Sequence, residues 1–84
     1  MGARHLRSLN GPRPIRVEVD PHGQPRSIHG RRAVAAVQDR WRLDDEWWRE
    51  HPISRLYHLL LLDDDSLVVV YRDLGTGDWY EQRA

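Results

Sequence analysis

The sequence predicts a small all-β domain: five to six antiparallel strands forming a barrel or strongly bent sheet, with one short helical turn. Three observations carry this. "IRVEVD" (15–20) alternates apolar and polar side chains, as a half-buried strand requires. "ISRLYHLLLL" (53–62) and "SLVVVYRD" (66–73) are two apolar arms around the polar turn "DDD". Turn signals recur at short intervals at "PHGQP", Gly30, "DDD" and "LGTG", so the strands are joined by short connections, as in small barrels.

In chain order, residues 1–13 read as a flexible basic arm rich in Pro and Gly, and residues 14–84 as one β domain. Ile15, Val17 and Val19 fall on one face of the first strand, and Arg16, Glu18 and Asp20 on the other. Pro21 presets φ for the following turn and Gly23 tolerates positive φ there. "RSIHG" pairs back as a second strand ended by Gly30. The segment 31–43 is ambiguous. Val34, Val37 and Trp41 have helical spacing, whereas Ala33, Ala35, Val37, Trp41 and Leu43 alternate with a break at Asp39. Its strand neighbours weigh toward strand. In "DDEWWREHP", Asp44 or Asp45 is expected to cap a short helical turn that Pro52 ends. The two apolar arms are near-continuously hydrophobic, which implies central strands covered at least in part on both faces. "DWYEQR" supplies the last strand, with one of Trp79 and Tyr80 facing in and the other out.

Composition narrows the function classes. The 84 residues are 39% hydrophobic and 31% charged, enough for one modest core and too few for two. Cysteine is absent, which removes disulfides, thiolate catalysis and cysteine metal sites. No apolar run approaches the roughly 18 residues of a membrane helix and no secretory leader pattern is present, so the expected location is cytoplasmic, without membrane contact. Residues 1–42 hold nine arginines against three carboxylates and residues 43–84 four against ten, although the net charge is zero. This split is either a basic face opposite an acidic one or, more simply, neutralisation between strands that pack together.

The chemistry-bearing patterns are sparse. The five histidines lack metal-type spacing, no nucleophile motif occurs, and Asp63–Asp65 suit a solvated turn better than a calcium loop. No catalytic residue, metal or cofactor is assigned. The aromatic residues are more informative: Trp41, Trp47, Trp48, Tyr57, Tyr71, Trp79 and Tyr80 lie among Arg40, Arg42, Arg49, Arg55 and Arg72. A chain without phenylalanine must build its core from such rings, and Trp41 with one of the Trp47–Trp48 pair is expected there. The other member of the pair is then free to meet a partner. The candidate partner-binding set is Trp47, Trp48, Arg42, Arg49 and Arg55, since interface anchors are typically Trp, Tyr and Arg. The strand "IRVEVD" could also accept a partner strand at its edge. The alternative is single-stranded nucleic acid, with bases stacked on rings and Arg13, Arg16, Arg26, Arg31 and Arg32 on phosphates.

The order of these residues resembles the C-terminal segment of ImuB-type mutagenesis proteins, relatives of Y-family translesion polymerases that lack the catalytic carboxylates. It also resembles small stand-alone bacterial proteins built on the same pattern. The resemblance runs over about residues 14–83. It rests on Gly23 and Pro25, Gly30 and Arg31, Val34, Trp41 and Arg42, Trp47 and Trp48, Arg55 and Tyr57, Tyr71 and Arg72, and Trp79 and Tyr80. The chain departs from the pattern by ending "EQRA" without a closing G-L-F or G-L-Y, and by carrying His58 where a second aromatic often stands. No polymerase-like body lies within the 84 residues, so only properties of the tail transfer. The resemblance implies a non-catalytic adaptor linked to DNA-damage tolerance, whose partners are proteins of the mutagenesis and replication machinery.

Overall fold

Seven strands run in chain order: β1 (Arg13–Ile15), β2 (Val17–Val19), β3 (Pro25–Ile28), β4 (Arg32–Asp45), β5 (Ile53–Leu62), β6 (Leu67–Asp73) and β7 (Trp79–Gln82). The structure is a computed structural model that describes residues 12–45, 48, 50 and 52–82. All pairings are antiparallel, in the order β1-β7-β6-β5-β4-β3-β2. Only Arg16 separates β1 from β2. One half of this short stave pairs with β7 and the other with β3, which rolls the sheet into a nearly closed barrel. The His29 amide donates to the Arg16 carbonyl at 2.9 Å, carrying the β2–β3 ladder across the break.

The all-β class agrees with the sequence reading, and three of its details change. Pairing divides the chain into seven strands, because the first predicted strand splits at Arg16. Among the described residues there is no helix: Asp44 and Asp45 close β4 instead of capping one, and Trp48 sits in a turn. Arg13 belongs to β1, not to the N-terminal arm, while residues 1–11 lie outside the described residues. The segment 31–43 is strand from Arg32 onward.

The barrel interior follows from the two-residue period of β5. His58, Leu60 and Leu62 point inward and meet Val70 from β6 and Ile28 from β3, all essentially without solvent access. Ile15, Val17, Val34, Val68 and Trp79 pack around this cluster. Val19 escapes it, because an irregularity in the β2–β3 register between Glu18 and Val19 leaves its side chain exposed. Three of the hairpin turns lean on an aspartate. The Asp20 carboxylate accepts from the amides of His22 and Gln24, with Gly23 at φ 81°. The Asp64 carboxylate accepts from the Ser66 amide and hydroxyl, with Asp65 at φ 69°. Asp73 accepts from the amides of Gly75 and Thr76, with Gly77 at φ 83°. These side-chain acceptors satisfy amides that the ladders leave open.

Candidate functional site

The outer face of the barrel carries a second ordered layer. Trp41, Tyr57, Tyr71 and Tyr80 occupy facing positions on β4, β5, β6 and β7, so register alone places four rings in one row. Trp41 and Tyr57 are parallel within 2° at 5.3 Å between centroids. Tyr57 and Tyr71 follow at 5.0 Å, and Tyr71 and Tyr80 at 5.2 Å. Tyr57 and Tyr71 are only 8% and 3% exposed although they point away from the barrel interior. Burial raises the pKa of the Tyr71 hydroxyl. β5 is thus covered on both faces along its length and β6 over Val68–Tyr71, in line with their continuous apolarity.

Trp41 differs from its expected place. It lies on this outer row, 41% exposed, and not in the core. Arg55, two residues before Tyr57, sits on the same face. Its guanidinium carbon is 4.5 Å from the Tyr71 ring centroid and its Nη1 donates to the Tyr57 hydroxyl at 3.2 Å. That hydrogen bond further raises the pKa of Arg55, which is charged at any ordinary pH.

Arg42 approaches from the other face of the same hairpin. Its Nε donates to Asp44 Oδ2 at 2.8 Å, and the Ser54 hydroxyl donates to Asp44 Oδ1 at 2.8 Å. The Ser54 hydroxyl first and Arg42 second hold the Asp44 carboxyl below its ordinary range. Arg42 and Arg55 both reach a groove of about 660 Å³ at the end of the β4–β5 hairpin, beside the β6–β7 turn. Pro52, Ile53 and Leu74 supply its apolar lining, and Glu50 and Asp73 add carboxylates to the same lining. Of the predicted partner-binding set, the structure brings Arg42 and Arg55 together. Trp48 is 67% exposed in the turn before Glu50, whereas Trp47 and Arg49 lie outside the described residues. Ser54, Ile53 and Leu74 were missed by sequence reasoning. Only the register of β4 on β5 shows that Ser54 faces Asp44.

No family model, curated protein or solved structure matches this chain.

The alternative arginine set is partly gathered. Arg13 and Arg32 line one shallow cleft at the barrel seam, and Arg16 lines its neighbour, with His29 common to both. Arg26 and Arg31 are exposed and line neither. Carboxylates interleave with the gathered ones. Arg13 faces Glu81 in the β1–β7 register, and His29 lies 3.7 Å from Glu81. Arg32 meets Asp64 at 3.2 Å. These contacts join the basic and acidic halves of the sequence strand by strand, in line with neutralisation between packed strands. The two halves of "IRVEVD" are the terminal strands of the sheet, each paired on one side only, β1 with β7 and β2 with β3. Among the described residues, no cluster of three or more His, Asp or Glu side chains could hold a metal ion. No described helix is long and apolar enough to cross a membrane.

Proposed function

We propose that this chain is a non-catalytic interaction module whose groove at the β4–β5 end takes a protein segment presenting an apolar side chain. The observation that carries the reading is the convergence of Arg42 and Arg55 on a groove lined by Pro52, Ile53 and Leu74. Both arginines are pre-positioned there, Arg42 by Asp44 and Arg55 by the two tyrosines. Arginines whose conformations are already fixed lose little entropy on binding, which suits them as interface anchors. The resemblance to ImuB-type tails supplies the direction: an accessory or adaptor role in DNA-damage tolerance, with partners from the mutagenesis machinery.

Two measurements test this. Panning a random peptide library on the immobilised chain should enrich one family of peptides with a shared apolar anchor. Leu74→Glu, which puts a charge into the groove from an exposed turn, should weaken those peptides at least about tenfold. In parallel, intrinsic tryptophan fluorescence titrated with single-stranded oligonucleotides should not respond between about 50 and 200 mM salt, the range in which phosphate contacts lose most affinity. Salt-sensitive quenching would move the site to the arginines of the seam and to base stacking.

A further inference from the structure

The longest strand is half unpartnered. β3 covers only Arg32 and Ala33 of β4, and beyond Ala33 no described strand pairs with β4 on the side away from β5. The direction of its free groups follows from one hydrogen bond. Leu74 donates its amide to the Ser54 carbonyl at 2.9 Å, so Ser54 and the other even-numbered residues of β5 face β6. Odd-numbered residues of β5 therefore bond β4, through their partners Asp39, Trp41, Leu43 and Asp45. Arg40, Arg42 and Asp44 turn their backbone N–H and C=O groups outward. The run 39–45 pairs with β5 without irregularity, the last bulge lying between Val37 and Asp39. It is a regular edge of the kind that pairs with another strand.

We infer that this edge pairs with the same edge of a second copy, antiparallel, about a two-fold axis at Arg42. The edge is self-complementary in that register. Arg42 then lies opposite Arg42 of the second copy, and Arg40 opposite Asp44 of the second copy on each side of the axis. These are the residues whose backbone groups face outward, so all three facing pairs are hydrogen-bonded pairs. Two of them join opposite charges. On the outer face, Trp41 lies opposite Leu43 of the second copy. These two are 41% and 40% exposed in the single chain and are covered together, extending the aromatic row across the dimer.

Two features oppose the pairing. Arg42 faces its own copy, although each guanidinium is held by the Asp44 of its own strand. Asp39 faces Asp45 of the second copy, and the Asp39 carboxylate also accepts from the Arg40 amide at 2.8 Å, a bond that must yield to the carbonyl of Asp44 of the second copy. The dimer is accordingly a weak, concentration-dependent one. Arg42 lies both at this axis and in the lining of the groove at Leu74, but the charge-swap test below reads association of the chain alone and is separate from peptide binding.

Sedimentation velocity of the full chain over about 10–500 μM, the range of a small transient interface, should show a monomer–dimer equilibrium. Arg40→Asp and Asp44→Arg each set like charges opposite one another twice, and each alone should weaken the dimer at least about tenfold. Mixed in equal amounts, the two variants regain opposite charges at both positions, and a heterodimer should form with affinity near that of the wild type. Unchanged circular dichroism and melting temperature of each variant establish that the fold is intact. An axis shifted to Leu43 would set Arg42 against Asp44, and mixing would not restore association. A wild-type chain that stays monomeric throughout, or a mixture that fails to associate, overturns the inference.

Discussion

Trp41 lies flat against Tyr57 on the outside of the barrel, the ring planes parallel within 2° and the centroids 5.3 Å apart. The contact ends a row of four rings that ties β4, β5, β6 and β7 together on the face opposite the core. The fold is therefore held from both sides of its central strands, which offsets the small interior that a chain of 84 residues can build.

Trp41→Ala should destabilise the domain by about 1–2 kcal/mol, since it removes a stacked partner from a buried tyrosine and part of a large apolar ring. Urea denaturation should show a lower midpoint with unchanged slope, and the near-ultraviolet circular dichroism should lose aromatic signal. In the core, Leu60→Ala should cost about 2–5 kcal/mol, because Leu60 is fully buried among Ile28, Leu62 and Val70 and its loss leaves a cavity.

His58 gives the domain an acid sensitivity. It is 1% exposed inside the barrel, 5.5 Å from Trp79 between ring centroids, and its Nδ1 has no hydrogen-bond partner. Burial first, and the charge of Arg40 second, lower its pKa below the ordinary 6.5. Below that value the unfolded chain takes up a proton that the folded chain refuses. Stability from this group is thus complete above pH 6.5 and is lost as the pH falls below it. The melting temperature should fall as the pH drops below about 6.5, the ordinary histidine pKa, and His58→Leu should flatten that fall.

Gly77→Ala should destabilise by about 1 kcal/mol, since a left-handed backbone penalises any Cβ. Gly77 sits at φ 83° in the β6–β7 turn, where an added Cβ would meet only Arg72 Nη2 at 3.6 Å. The cost is conformational and not steric, so Gly77→Asn should recover part of it in a thermal melt.

Much of the architecture was legible because strand period and turn chemistry are local. The limits of β5, β6 and β7 follow from apolar runs bounded by Asp and Gly. The ambiguity over 31–43 has a structural cause. β4 is bulged between Val34 and Ala36 and again between Val37 and Asp39. Each bulge inserts one residue, so Val34 and Val37, three apart, face Leu62 and Leu60 on the same side and imitate a helical step, whereas Trp41, the third member of that pattern, lies on the outer face. The division of the first strand at Arg16 was not legible, since alternation continues through it and only the pairing of its halves with different neighbours reveals the break. The groove was legible in part. Arginines beside aromatics marked Arg42 and Arg55, but their convergence with Ile53 and Leu74 depends on register and on the β6–β7 turn, neither of which a linear pattern encodes.

Binding of protein at the β4–β5 groove is read most directly from an amide chemical-shift map. The ¹⁵N-labelled chain is titrated with the peptide family enriched by panning. Saturable shifts are expected at Arg42, Ile53, Ser54, Arg55, Leu74 and Thr76, and are expected to be absent in Leu74→Glu. Shifts confined to the seam around Arg13, Arg16, His29 and Arg32, or no saturable shifts at all, would contradict binding at this groove.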